Sequence, residues 1–249
     1  MRNLLLLFLV LLVPAAAFAD PLPLTDDLTG TITVYYDEQD PSAGRYEYSY
    51  HFPRINPDDA AAYLVNNFYE SEVRYVDVYD APTMADYYAD LGEDYTVRIT
   101  YEITLNSDEY FSVRLTKVME YEGETAVIWE GNTFSRESGM PGSVFSLPNL
   151  LGRLEAGETD DWLEDRQVQK VRSAVYRLVW DQISGRVEDL PFDPVLTRES
   201  LEQIFDPELD FWLDETGNPV FFIIPDQSEF PEAEFLTISL TLEEIDDEI

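Results

Sequence analysis

Along most of this chain apolar positions alternate with polar ones at a period of two, and helical periodicity is confined to a few inserted stretches. Ile32, Val34 and Tyr36 alternate with threonines and Tyr35, the pattern of a half-buried strand. After a turn-rich stretch over 37–44, Tyr46, Tyr48, Tyr50 and Phe52 fall on one face, and Arg45, Glu47, Ser49 and His51 on the other. The longest run follows. Tyr95, Val97, Ile99, Tyr101, Ile103 and Leu105 line one face, opposed by Thr96, Arg98, Thr100, Glu102 and Thr104. Asn106-Ser107-Asp108-Glu109 turns this strand back into Phe111, Val113, Leu115, Met119 and Tyr121, and Glu122-Gly123-Glu124 turns again into a strand holding Val127 and Trp129. These runs predict an antiparallel meander. Near the end Leu209, Phe211 and Leu213 alternate with Asp210, Trp212 and Asp214, and a turn at 215–218 leads into the unbroken apolar run 220–224, as in a central strand. Leu236, Ile238 and Leu240 predict a final strand before an acidic tail.

Helical stretches interrupt this pattern. Asn56-Pro57-Asp58-Asp59 opens a helix with a capping Asn, Pro at the first helical position and two carboxylates at the positive end of the dipole. Its stripe is Ala61, Leu64, Val65 and Phe68, and a second helical piece over 83–91 follows Pro82 and stops at Gly92. Thr159-Asp160-Asp161 caps a long helix with the stripe Val168, Val171, Val175, Leu178, Val179 and Ile183, ended by Gly185. A short helix is predicted over 198–205. Strands grouped together with helices between them predict an α+β fold, an antiparallel β-sheet with a few packed helices. The strand over 95–105 is expected at the centre of that sheet, with the long helix packed on it through Val171, Val175 and Leu178.

The first nineteen residues change the picture from fold to compartment. Arg2 precedes an unbroken apolar run over 4–13, Pro14 breaks it, and Ala17-Phe18-Ala19 offers small residues where a signal peptidase reads. The apolar stretch is shorter than the roughly 20 residues a bilayer span needs. The expectation is a secretory signal peptide over 1–19, cleaved after Ala19, and a secreted or periplasmic protein without a transmembrane segment. A linker over 20–30 and two modules, 31–122 and 123–249, complete the expected organisation.

Hydrophobic residues make up 45% of the chain and aromatics 14%, enough for a packed core. There is no cysteine, which removes disulfides, thiol nucleophiles and thiolate metal sites. The 51 acidic residues against 15 basic ones give a formal net charge of −36. Such a surface repels nucleic acid and attracts cationic proteins or metal ions, and it also serves solubility.

Candidate chemistry is sparse. His51 is the only histidine, so a Ser-His-Asp triad or a two-histidine zinc site lacks partners, and an exposed strand histidine is the simpler reading. No nucleophile-elbow, phosphate-loop or dinucleotide glycine pattern occurs. A pair of carboxyls is all a glycoside hydrolase needs, and acidic residues are too many to single out a pair. The acidic stretches Asp37-Glu38-Gln39-Asp40 and Glu158-Thr159-Asp160-Asp161 lack the spacing of an EF-hand loop. Tyr46, Tyr48 and Tyr50 suit either a sugar-stacking platform or a packed core.

The ordered motifs resemble a known extracellular module pair. YEYSYHFPRI over 46–55, Val65-Asn66-Asn67-Phe68, and ITLNSDEYFSVRLTKVMEYEG over 103–123 are similar to its first module. SLPNLLG over 146–152, the long helix, FWLDETGNPVFFIIPD over 211–226 and the Leu-x-Ile-x-Leu strand are similar to its second. This pair is shared by the anti-sigma factor RsiV and the peptidoglycan deacetylase PdaC. Where that family commonly shows a Gly-Gly-Ala-His turn, this chain has Gly123-Glu124-Thr125-Ala126. Neither a sigma-binding segment nor a deacetylase domain is expected from the sequence. The resemblance implies a free-standing exported sensor or accessory module, which in RsiV binds lysozyme, a cationic protein. The expectation is a non-enzymatic envelope binding protein without catalytic residues, cofactor or metal, whose partner is a cationic protein or a cell-wall glycan. The alternatives are a carboxylate-dependent hydrolase of envelope polysaccharide, marked by paired buried carboxyls in a deep cleft, and a structural partner in an envelope assembly.

Overall fold

The computed structural model describes residues 21–59, 62–136, 144–153, 162–190, 192, 195–225 and 235–249. The expected signal peptide and the acidic stretch Glu158 to Asp161 lie outside the described residues. Two sheets organise the chain, and the mixed helix and strand content is that of an α+β fold.

The first sheet has the order β1 (Leu28–Tyr35), β2 (Arg45–Phe52), β3 (Tyr95–Asn106), β4 (Tyr110–Tyr121), β5 (Glu124–Ser135). The meander β3-β4-β5 is antiparallel as predicted, and β3 is central. The sheet is not antiparallel throughout, because β2 and β3 run parallel over Tyr46–Ser49 and Tyr95–Arg98. A parallel neighbour needs a long crossover, and the helical segment between these strands supplies it. β5, on the far side of the predicted division at 122/123, is the fifth strand of this first sheet.

That crossover is one continuous helical run: α1 (Ala62–Tyr75), a π-helical turn (Val76–Asp80) and α2 (Ala81–Tyr88). The sequence predicts two separate pieces, and the described part begins at Ala62, so Ala61 lies outside it. Inward residues recur as Ala62, Val65, Tyr69 and Val76, then skip five positions to Ala81 and Ala85. The extra residue of the π turn restores the stripe to the sheet after Val76. It also opens the backbone where the ring of Pro82 would clash with an α-helical carbonyl. The Ala81 N–H donates to the Val76 carbonyl, and the Thr83 hydroxyl donates to the Tyr79 carbonyl at 2.6 Å.

This run covers one face of the first sheet, where Tyr46, Tyr48, Phe52, Val97, Ile99, Phe111, Val113, Leu115 and Phe134 form the first core. Asn66 fastens the corner after β2: its carbonyl oxygen accepts from the Ile55 N–H and its amide donates to the Ile55 carbonyl, both at 2.9 Å. Asn106 clasps the Leu22 backbone in the same way. Residues 21–27, within the stretch expected as a linker, thereby pack on the sheet, with Leu22 2% exposed.

The second sheet, β6 (Phe211–Leu213), β7 (Pro219–Ile223) and β8 (Leu236–Ser239), is antiparallel, with the apolar run β7 at its centre as predicted. α4 (Trp162–Ile183) packs on this sheet, not on the sheet containing β3. Val171, Val175, Val179 and Ile183 are fully buried there, and Leu178 is half-buried. A β-bulge between Ile103 and Leu105 sends Leu105 to the opposite face from Ile103, so that Leu105 joins this second core. α3 (Leu147–Leu150) and α5 (Arg198–Ile204) close its flank. The expected acidic tail is a helix, α6 (Leu242–Glu248), started by a Thr241–Glu244 capping box and anchored by fully buried Ile245.

Candidate functional site

Where α1 runs into the π turn, the helical run stands off the first sheet and leaves a cavity of about 140 Å³. Its floor is apolar and aromatic: Tyr48 from β2, Ile99 from β3, Leu115 from β4, and Phe52, Tyr69 and Val76 around them. Its polar lining is Glu72 from the end of α1, Asp80 from the π turn, Lys117 from β4, and Glu130 and Asn132 from β5. Three carboxylates thus face one ammonium.

With 51 acidic residues against 15 basic ones, most carboxylates of the chain have no basic partner. Arginines take those they reach, as in Arg54–Glu70 at 3.2 Å, Arg172–Glu208 at 2.8 Å, Arg114–Glu102 and Arg153–Asp246. Among the described residues Glu72, Asp80, Glu130 and Lys117 form no ion pair and no hydrogen bond. Burial, then the neighbouring carboxylates Glu130 and Asp80, push the Glu72 carboxyl above its ordinary range. The Tyr48 hydroxyl makes no hydrogen bond either, although the residue is only 5% exposed. Its pKa is raised by burial and by charges that include Glu130, Glu72 and Asp80. The fully buried Tyr69 hydroxyl receives a long 3.5 Å contact from the Asn132 amide. Outside the mouth, Tyr75, Val78 and Tyr79 are exposed on the helix, with the two tyrosine rings 5.6 Å apart.

The residues singled out from sequence lie elsewhere, except Tyr48. Tyr46 and Tyr48 are buried in the first core, Tyr50 is half-buried against it, and no sugar-stacking platform forms from them. His51 is exposed, and its Nε2 lies 2.6 Å from Asp27 Oδ2, while the Tyr101 hydroxyl donates to Asp27 Oδ1 at 2.6 Å. Burial alone would raise the Asp27 carboxyl, but the bonds from Tyr101 and His51 and the charge of His51 hold it below its usual value. This cluster ties the start of β1 to β3 where β2 and β3 cease to pair. Asp37 and Asp40 accept from the Gln39 and Ser42 N–H groups as turn residues. Gly123, with φ of 80°, shapes the β4–β5 turn.

None of Glu72, Asp80, Lys117, Glu130 or Asn132 is picked out by the sequence reading. A signal for them exists. Lys117 interrupts the inward series Phe111, Val113, Leu115, Met119, Tyr121, and Glu130 and Asn132 share the face of Phe134. Charged or polar side chains at inward strand positions mark a wet pocket within a core face.

A second cluster joins the two sheets. Arg114 stacks over Trp129 at 4.6 Å and Trp212 at 5.1 Å, and Trp212 stacks on Phe222. Its tight packing and its position between sheets make it a structural clamp. Among the described residues no helix is long and apolar enough to cross a membrane, and no group of three or more His, Asp or Glu is arranged to hold a metal ion.

No protein-family model and no curated protein matches the chain. The chain is similar to the crystal structure of a DUF3298 family member from Bacteroides fragilis, with a TM-score of 0.48 and 14% identity over 92% of this chain and 94% of that one. It is similar as well to a DUF3298 family protein from Pseudomonas aeruginosa, with a TM-score of 0.45 and 11% identity over 91% and 94% of the two chains.

Proposed function

We propose that this protein is an exported, non-enzymatic binding protein of the cell envelope whose partner is a cationic protein. The observation that carries the reading is the cavity between α1 and the first sheet, where Glu72, Asp80 and Glu130 stand unpaired around tyrosines on a chain of net charge −36. Glu72 and Glu130 are exposed at its mouth and Asp80 is half-buried, so the carboxylates are open to a positively charged partner, and the surrounding field steers basic partners toward them. The resemblance to the RsiV/PdaC module pair makes lysozyme the first partner to test. Cleavage after Ala19 is part of the proposal, and N-terminal sequencing of the exported protein should read from Asp20.

Calorimetric titration with lysozyme and with a basic protein of unrelated shape, at about 0.15 M salt where the Debye length is about 8 Å, tests the reading. Lysozyme should bind more tightly, because a true interface keeps a packed centre that bulk charge lacks. Equal affinities, or none for either, would remove it.

The raised Glu72 carboxyl beside Glu130 favours a second reading, a hydrolase with an acid and a base. Against it stands size: about 140 Å³ lies well below the roughly 300–1,000 Å³ of small-molecule sites, and two sugar rings must flank a scissile bond. Release of reducing ends from envelope polysaccharide, abolished in Glu72→Gln, would reverse this order.

A further inference from the structure

We infer that the cavity beneath the π turn is the seat of a primary ammonium group on a short aliphatic stem, the chemistry of a lysine side chain presented by the partner. This rests on the binding reading above and gives it a location. The hydrogen-bond inventory matches the group. An ammonium brings three donors and no acceptor. Beside its own Lys117, which pairs with none of them, the cavity offers carboxylate acceptors on Glu72, Asp80 and Glu130 and the unbonded hydroxyl of Tyr48, an excess of negative charge that one further ammonium would reduce. The Tyr48 side chain is 5% exposed and lines the cavity with a hydroxyl that bonds no protein group, which leaves that oxygen free to accept from a donor placed there. The aromatic floor of Tyr48, Phe52 and Tyr69 suits the methylene stem and attracts the charge through the ring faces. Size agrees too: a cavity of about 150 Å³ holds a benzene-sized group, and this one measures about 140 Å³.

The rim indicates that the stem arrives from a larger molecule. Tyr75, Val78 and Tyr79 are 57%, 52% and 63% exposed on the outer side of the same turn, and Tyr75 also lines the cavity. Tyrosines beside a pocket are what a protein interface places around an anchoring side chain. The π turn produces both features at once. It holds Asp80 at the cavity while its extra residue leaves Tyr79 on the solvent side.

The probes are N-acetyl-lysine methylamide, butylammonium and the neutral N-acetyl-norleucine methylamide, titrated into the full mature chain and followed by NMR. The lysine amide should bind at on the order of 1 mM, as small ligands of this size do. Norleucine should bind at least tenfold more weakly. Glu72→Gln and Glu130→Gln should each weaken the lysine amide severalfold, and Tyr48→Phe should do so without loss of fold, since only a hydroxyl is removed. Binding of butylammonium without the lysine amide would overturn the side-chain assignment in favour of a free amine. Equal binding of lysine and norleucine amides, or none of either at about 50 mM, fifty times the expected constant, would overturn the ammonium site. The two proposals fail separately. A basic protein whose affinity is unchanged by both glutamine variants sinks this inference and leaves the binding reading standing. Lysine-amide binding without any basic-protein binding does the reverse.

Discussion

At Gly131 the first sheet meets the backbone of β6, and replacing it with Ala is expected to separate the two sheets. A Cβ at that position would run into the Phe211 carbonyl oxygen, and would stand 2.5 Å from the Phe211 carbonyl carbon and 3.2 Å from the Trp212 nitrogen. Relaxed contacts between carbon atoms are about 3.5–4.0 Å and the carbonyl oxygen stands nearer than the carbon, so β6 must retreat by more than about 1 Å. All three obstacles are backbone, and no side-chain rotation relieves them. Retreat stretches the 3.0 Å bond from the Leu213 N–H to the Ser112 hydroxyl, which also bonds the Thr133 hydroxyl at 3.0 Å. Ser112 and Leu213 are fully buried, so water cannot replace the lost partner. Overpacking of a core contributes about 1–3 kcal/mol and an orphaned buried N–H another 1–3 kcal/mol. The restricted unfolded chain of the Ala variant returns somewhat under 1 kcal/mol. A loss of about 2–5 kcal/mol is therefore expected, on the order of 10 °C in Tm for a chain of this size. Urea unfolding followed by tryptophan fluorescence measures it, with Trp129 and Trp212 reporting from the junction itself. Gly123→Ala is the control: its Cβ meets nothing, and only the positive φ is strained, at about 1 kcal/mol. Gly131→Ala within about 0.5 kcal/mol of the wild type, the ordinary surface range, would refute the packing argument.

Val175→Asp would place an unpaired carboxylate at a fully buried position of the second core, and should cost several kcal/mol against a margin of about 5–15. Wild-type melting by circular dichroism would overturn the assignment of α4 to the second sheet. Burial pushes the Asp210 carboxyl up to about 6, with the neighbouring Asp206 charge adding to it and the Asp206 N–H opposing. A raised folded-state value means that the folded protein binds the proton more tightly, so this stabilisation is full below the ordinary 3.8 and is lost as pH rises through about 6. Tm should therefore fall less between pH 5 and 7 in Asp210→Asn than in the wild type, and equal slopes would remove Asp210 from the account. Self-repulsion at −36 should make Tm rise with sodium chloride between about 0.02 and 0.3 M as the Debye length shortens. A flat or falling Tm would show that local ion pairs dominate.

The chain announces its strands well because period two survives any tertiary arrangement that buries one face. The hairpins β3-β4-β5 and β6-β7, the central place of β7 and the buried stripe of α4 are all legible in this way. The Thr241-x-x-Glu244 box was equally available as a helix start, and acidity of the tail concealed it. The candidate site was half legible. Lys117 and Glu130 are charged residues at inward-facing strand positions, but nothing local tells that both open on the same space.

Patterning by itself determined which residues turn inward and where the chain reverses, because those choices depend on neighbours a few positions away. Tertiary structure decided everything that rests on which faces meet. The parallel pairing of β2 with β3 follows from the crossover helix, the burial of Leu105 in the second core from one bulge residue, and the seat of α4 from competition between two apolar sheet faces. The cavity belongs to the same class: Glu72, Asp80, Lys117 and Glu130 come from four elements, and they converge only because a π turn rephases the helix above the sheet. Apolar burial is non-directional and names no partner, so a sequence that specifies its buried faces still leaves their pairing to the folded chain.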